Sequence, residues 1–146
     1  MSIFRRAAGA LLAGTLITSA SALEVGIAVR SILPDPLLPV SGGMGLPQPV
    51  TKAEGEIGIR ALVIRDDKTT IAIVSVDSIG FPSVLGDRIR EQVKDIPAEN
   101  ILIGATHTHS APDTYAFPLP TGGHTGDLEY MNWVCLQGAA AVNQAL

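Results

Sequence analysis

A strand–helix–strand pattern between residues 70 and 105 constrains the fold more than any other part of this sequence. Thr70–Val76 and Ile101–Ala105 are short apolar runs of the kind found in the strands of covered sheets. Two such strands joined through a crossover helix run parallel. The helix is predicted to open at Pro82 and to end before Pro97, and its apolar residues fall on one stripe: Leu85, Ile89, Val93 and Ile96.

Two further strands precede this unit. Residues 57–64 form a β-branched apolar run, and the polar residues 65–68 separate it from Thr70–Val76. This spacing predicts an antiparallel hairpin. Residues 23–29 alternate between two faces, which predicts a first strand. The fold class expected from these elements is α/β, with a mixed, partly parallel sheet and covering helices.

Two segments rich in proline and glycine interrupt the regular pattern. Residues 32–50 cannot form regular structure, because proline removes donors and glycine opens positive φ. Gly43 in this loop is a candidate to offer bare backbone amides to a ligand, although a surface-packed connector fits the composition equally well. The second segment, residues 112–126, carries His124, which is either a loop residue or a ligand. Asp127 then caps a last helix.

The strand Ile101–Ala105 leads directly into two histidines, His107 and His109. In extended backbone, residues i and i+2 point to the same side with Cα atoms roughly 6.5–7 Å apart, so both imidazoles can lean toward one divalent ion. A catalytic zinc typically takes three protein ligands and keeps one position open, so this pair is half of a metal site. The competing interpretation is two loop histidines bonded to backbone or water.

Two other polar residues are predicted at the same edge of the sheet. Asp77 follows the strand Thr70–Val76, and parallel strands carry their active residues at the carboxyl edge. Asp77 is a candidate to accept the second N–H of a ligand histidine, or else to cap the following turn. Ser110 follows His109; as a nucleophile it has no evident base, and a hydroxyl in such a turn normally bonds to nearby backbone.

The segment Ala105-Thr-His-Thr-His-Ser-Ala-Pro112 resembles the Ala/Gly-Thr-His-Thr-His-Ser-Gly-Pro segment of the neutral/alkaline (non-lysosomal) ceramidases, zinc-dependent amidases that hydrolyse the N-acyl bond of ceramide. Residues 60–64 and 73–77 are similar in order and spacing to the segments that precede this motif in the family. The resemblance extends over residues 25–112. The chain departs from the family at Ala111, where the ceramidases have glycine, and at residues 113–123, which replace a short Gly-rich continuation.

The resemblance implies a secreted amidase with Zn²⁺ as cofactor and a lipid-like N-acyl amide as substrate. It implies that His107 is a metal ligand and that His109 is the catalytic group that orients water and stabilises the oxyanion; the spacing alone leaves open that His109 is a second ligand. It also implies that the loop containing Gly43 lies near the active site.

In the ceramidases the remaining zinc ligands and the catalytic serine motif lie further downstream. We therefore expect residues 23–146 to be the N-terminal portion of a larger catalytic domain and this chain by itself to be inactive. The last helix stops in mid-pattern. Its apolar face and the open edge of the sheet are then expected to favour self-association.

Three alternatives compete with this interpretation. A metallo-β-lactamase type of site would continue His-X-His-X-Asp-His, and Ala111 and Pro112 at the corresponding positions argue against it. A metallohydrolase acting on a different amide or ester stays open. So does a non-catalytic secreted binding domain that retains the fold.

The N-terminus predicts export. Arg5 and Arg6 precede an apolar run over residues 7–17, and small residues lead to Ala22, so residues 1–22 are predicted to be a signal peptide of a secreted or periplasmic protein. The run is too short for a transmembrane segment, which needs about 20 residues.

Cleavage removes two arginines and no acidic residue, so the net charge of the mature chain is more negative than the −4 of the full chain. Such a charge argues against nucleic acid as partner. The lone Cys135 is expected to pack in the core.

Overall fold

The computed structural model describes residues 22–43 and 45–146. The predicted signal peptide therefore lies outside the described residues, except for Ala22. Eight elements are numbered here in chain order, and a short 3₁₀ turn at Ala98–Asn100 precedes β5: β1 Glu24–Ser31, β2 Val40–Ser41, β3 Gly58–Arg65, β4 Thr70–Val76, α1 Ser83–Gln92, β5 Ile101–Ala105, β6 Ala111–Pro112 and α2 Leu128–Ala145.

The main sheet has four strands in the order β1-β3-β4-β5. β1 and β3 are antiparallel, β3 and β4 form the predicted antiparallel hairpin, and β4 and β5 are parallel. The carboxylate of Asp66 closes the hairpin turn by accepting hydrogen bonds from the backbone N–H groups of Lys68 and Thr69. The mixed, partly parallel sheet with covering helices is confirmed.

Helices α1 and α2 cover one face of the sheet and enclose the core. The predicted stripe on α1 is buried at all four positions, although the helix itself ends at Gln92. On α2, Asp127 caps the first turn by accepting from Tyr130 N at 2.8 Å, and Cys135 is fully buried. The helix approaches β1 so closely that a Cβ at Gly26 would lie 1.8 Å from the carbonyl oxygen of Ala145. Small residues on the inner face of β1 are therefore required by the packing.

The opposite face of the sheet is apolar and, within the described residues, open to solvent. Val25, Ile27 and Val29 on β1 point away from the helices and are all more than half exposed. β5 was expected to be buried on both faces, but Leu102 is 65% exposed. The expectation was wrong for the part of the chain described, because both helices lie on the other face of the sheet and leave the face of Leu102 uncovered.

The proline-rich loop is tied down at three points around the carboxyl edge of the sheet. The backbone N–H of Ile32 donates to the carbonyl of Ile57 at 3.0 Å, so the connection between β1 and β3, which contains the loop, is closed at its base. The buried hydroxyl of Tyr130 donates to the carbonyl of Ile32 at 3.0 Å. In its middle, β2 pairs with β6, Ser41 facing Ala111. The loop is thereby held beside the residues that follow β5.

Among the described residues, no helix combines the length and the apolar character that a membrane crossing requires.

Candidate functional site

His107 occupies an unusual backbone conformation just beyond the end of β5. Its φ is 63°, in the left-handed region that few residues other than glycine adopt. Its ring Nδ1 lies 2.6 Å from the carbonyl oxygen of Ile79, in the segment that follows β4. A carbonyl can only accept, so Nδ1 carries the proton and the lone pair of Nε2 is free. Histidines that bind metal ions commonly have their second nitrogen held in this way.

The imidazoles of His107 and His109 converge at this edge. Their ring centroids are 5.0 Å apart and the rings are nearly perpendicular, at 87°. Both residues are exposed to solvent. The convergence does not come from the alternation of an extended strand, because β5 ends at Ala105 and the left-handed turn at His107 redirects the chain. The two rings are therefore in edge-to-face contact, which differs from the expected geometry in which both lean toward one ion.

A glycine of the proline-rich loop lies against His109. Gly42 has a φ of 117°, and a Cβ at this position would lie 2.6 Å from Cγ of the His109 ring. The pairing of Ser41 with Ala111 explains the approach, because it brings the residue next to Ser41 alongside the residues that precede β6. Gly43, the glycine singled out in the sequence, is exposed, and a Cβ there would meet nothing within 4 Å.

Asp77 fastens the end of β4 to the start of β3. Its carboxylate accepts from Gly58 N at 2.9 Å and from the guanidinium of Arg60 at 2.8 Å. Burial raises the pKa of this carboxyl, but the Gly58 and Arg60 contacts, with a hydrogen bond from Thr106, outweigh it and leave the pKa of Asp77 below its ordinary value. The second nitrogen of His107 is held by Ile79 and not by Asp77, which corrects that detail of the expected arrangement.

Ser110 and His124 lie in turns of their own. Ser110 is exposed, and its backbone N–H donates to the Thr108 hydroxyl at 3.3 Å. The exposed ring of His124 has Nδ1 2.9 Å from the carbonyl of Gly126, within the same loop. That loop is anchored by Asp113, which is 3% exposed and whose carboxylate accepts hydrogen bonds from the loop backbone and from a threonine hydroxyl.

Residues 22–43 and 45–146 contain no group of three or more His, Cys, Asp or Glu side chains that could hold a metal ion. His107 offers one free imidazole nitrogen with its orientation fixed, and His109 lies beside it. This donor set fits zinc, which accepts imidazole nitrogen, but it supplies at most two of the three protein ligands that a catalytic zinc requires.

A cleft of about 540 Å³ separates the proline-rich loop from the carboxyl edge of the sheet. Asp77, Thr108, Ser110 and Pro112 line it from the sheet side. Thr108 stands between the two histidines in sequence, so the cleft borders the segment that carries the imidazoles. Ser110 and Asp77 thus share a surface that a bound molecule could contact.

Sequence reasoning missed the contacts made by Ile79 and Gly42. A backbone carbonyl can be supplied by any residue, so Ile79 gives no signal in the sequence. The Gly-Gly pair at residues 42–43 marks a tight approach, but only the short β2–β6 ladder decides which glycine makes it.

Comparison with known proteins finds similarity at the level of structure. No family model matches the chain, and no curated protein matches its sequence. The neutral ceramidase from Pseudomonas aeruginosa has a similar structure, with a TM-score of 0.69, 16% identity, and coverage of 87% of this chain and 22% of that one. A ceramidase complexed with C2 gives a TM-score of 0.68 and 17% identity, covering 86% of this chain and 21% of that one.

These comparisons establish the fold. At such low identity they show a shared architecture, and the chain spans about a fifth of the length of the two ceramidases. The predicted structural likeness to neutral ceramidases is confirmed.

Proposed function

We propose that this chain is the N-terminal portion of a secreted, zinc-dependent amidase that hydrolyses an N-acyl, ceramide-like amide. The observation that carries the proposal is the Nδ1 contact of His107 with Ile79, which leaves Nε2 free beside a second imidazole. This pair stands at the carboxyl edge of a fold shared with two ceramidases.

His107 holds zinc through Nε2 in this proposal, and further ligands come from outside the described residues. Bound zinc supplies a polarised carbonyl and a water whose pKa is lowered to about 7. His109 would orient the attacking water and stabilise the developing oxyanion, and Gly42, which lies against its ring, would keep that ring in position. Asp77 and Ser110 border the cleft from which the substrate approaches, and the exposed hydroxyl of Ser110 can donate a hydrogen bond to it.

The test uses the full-length protein and a short-chain N-acylsphingosine. Release of the free amine should stop when a chelator removes the metal and return when zinc is added. A matched ester of the same acyl chain, assayed in parallel, identifies a metallohydrolase of different specificity. Zinc binding without turnover of either compound would contradict the enzyme and favour the non-catalytic binding domain.

A further inference from the structure

The wall of the cleft on the side of the proline-rich loop is aliphatic. Among the described residues none of those that line the cleft is aromatic. The aliphatic side chains of this wall come from the proline-rich loop and from the residue before β3: Leu33, Leu37, Leu38, Val40, Val50 and Ile57. The volume of about 540 Å³ falls within the ~300–1,000 Å³ typical of small-molecule sites. A ligand that fills this wall must present apolar surface.

Each charged side chain that lines the cleft has a hydrogen-bond or ion-pair partner. Lys52 forms an ion pair with Glu54 at 3.2 Å, and Glu56 accepts a hydrogen bond from the Ser31 hydroxyl at 3.0 Å. Within residues 22–43 and 45–146, the cleft lining includes neither an arginine, the bidentate donor that recognises phosphate best, nor an aromatic ring on which a base could stack. Nucleotides and phosphorylated ligands therefore fit poorly.

The wall is also fixed in place. The Ile32–Ile57 backbone bond closes the base of the loop, the Tyr130 hydroxyl holds the carbonyl of Ile32, and the β2–β6 ladder holds its middle. Because this apolar surface is preformed, binding a flexible hydrocarbon chain carries no entropy cost for ordering the protein.

We infer that this cleft binds the hydrocarbon chain of the substrate, with the polar end of the ligand at Thr108, Ser110 and Asp77. The inference rests on the proposed function for the identity of the ligand. Beyond that function, the inference locates the binding site of the hydrocarbon chain and names the residues that set the preference for its length. The hydrocarbon can belong to the acyl group or to the amine, and the two sources are separable by experiment.

The test measures binding and needs neither metal nor turnover. N-methylnonanamide carries an octyl chain on the carbonyl carbon of a neutral amide, and its isomer N-octylacetamide carries an octyl chain on the nitrogen. Titration calorimetry with the chelator-treated full chain should detect tighter binding of one of them than of N-methylacetamide, with about fourfold in affinity for each methylene that becomes buried. The tighter of the two identifies which side of the amide bears the chain.

Val50→Trp should fill the cleft and weaken binding of the longer amide at least tenfold. Val84→Trp is the matched control, because Val84 is 58% exposed on α1 and lies outside the cleft. Circular dichroism spectra that superimpose on the wild type check that both variants fold. Equal affinity of all three amides, or equal loss in the two variants, would overturn the inference. Chain binding without amidase activity would leave it standing and refute the proposed function alone.

Discussion

The carbonyl oxygen of Ile79 lies 2.6 Å from Nδ1 of His107, so a backbone group after β4 fixes the ring of a residue after β5. The neighbouring Gly80 is itself held, because its carbonyl accepts from the hydroxyls of Ser78 and Thr114. The tautomer of His107 is therefore set by the parallel pairing of the two strands and by the turn between β4 and α1.

Gly42→Ala should lower turnover by about 10–100-fold, because the added Cβ would lie 2.6 Å from Cγ of His109 and the φ of 117° disfavours alanine. Gly43→Ala is the matched control, since a Cβ there meets nothing within 4 Å. Steady-state kinetics of the two full-length variants check the prediction. Equal activity of the two would mean that the loop does not position His109.

Asp77→Asn should destabilise the protein at neutral pH, by about 1–2 kcal/mol, because the carboxylate receives charge-assisted hydrogen bonds. The folded-state pKa of Asp77 is lowered, so its contribution is fully present above the unfolded pKa and is lost as the pH falls below about 4. Urea unfolding at pH 7 and pH 3 should show the gap between wild type and variant closing at acid pH. A gap that stays constant or widens would contradict this role.

The apolar outer face of the sheet should make the isolated chain associate. Leu102→Thr replaces a 65% exposed residue of β5 and should shift the chain toward monomer. Leu46→Thr, at a 60% exposed loop position, should not. Sedimentation velocity at several concentrations measures the difference. A wild-type chain that is monomeric throughout would refute the prediction.

Export predicts a processed product. The small residues Ala20 and Ala22 place signal-peptidase cleavage after Ala22, so intact-mass analysis of the secreted protein should give Leu23 as its first residue. Retention of Arg5 and Arg6 in the secreted product would refute it.

Elements governed by local chemistry could be predicted from the sequence. The stripe on α1, the Asp127 cap and the turn closed by Asp66 each depend on residues a few positions apart, and all are present. The exposure of Leu102 could not be predicted. An apolar pattern identifies the residues that favour burial, but it does not identify the element that covers them.

The site was predictable only in part, because its arrangement depends on backbone geometry and on contacts between residues far apart in the sequence. The His-X-His pair stands out in the sequence, and its two rings do converge. Their arrangement depends on a positive φ at His107 and on a ladder of two residues in each strand, β2 and β6. Neither has a strong local signature, since non-glycine residues rarely adopt such a φ and Ser41 and Ala111 are not residues that favour strands.

The zinc content of three full-length proteins, measured by elemental analysis after dialysis, tests the central claim most directly. Wild type should retain zinc, and His107→Ala should lose it together with amidase turnover. His109→Ala should retain most of the zinc while turnover falls by about 100–1,000-fold. Equal zinc occupancy in wild type and His107→Ala would contradict the assignment of His107 as a ligand.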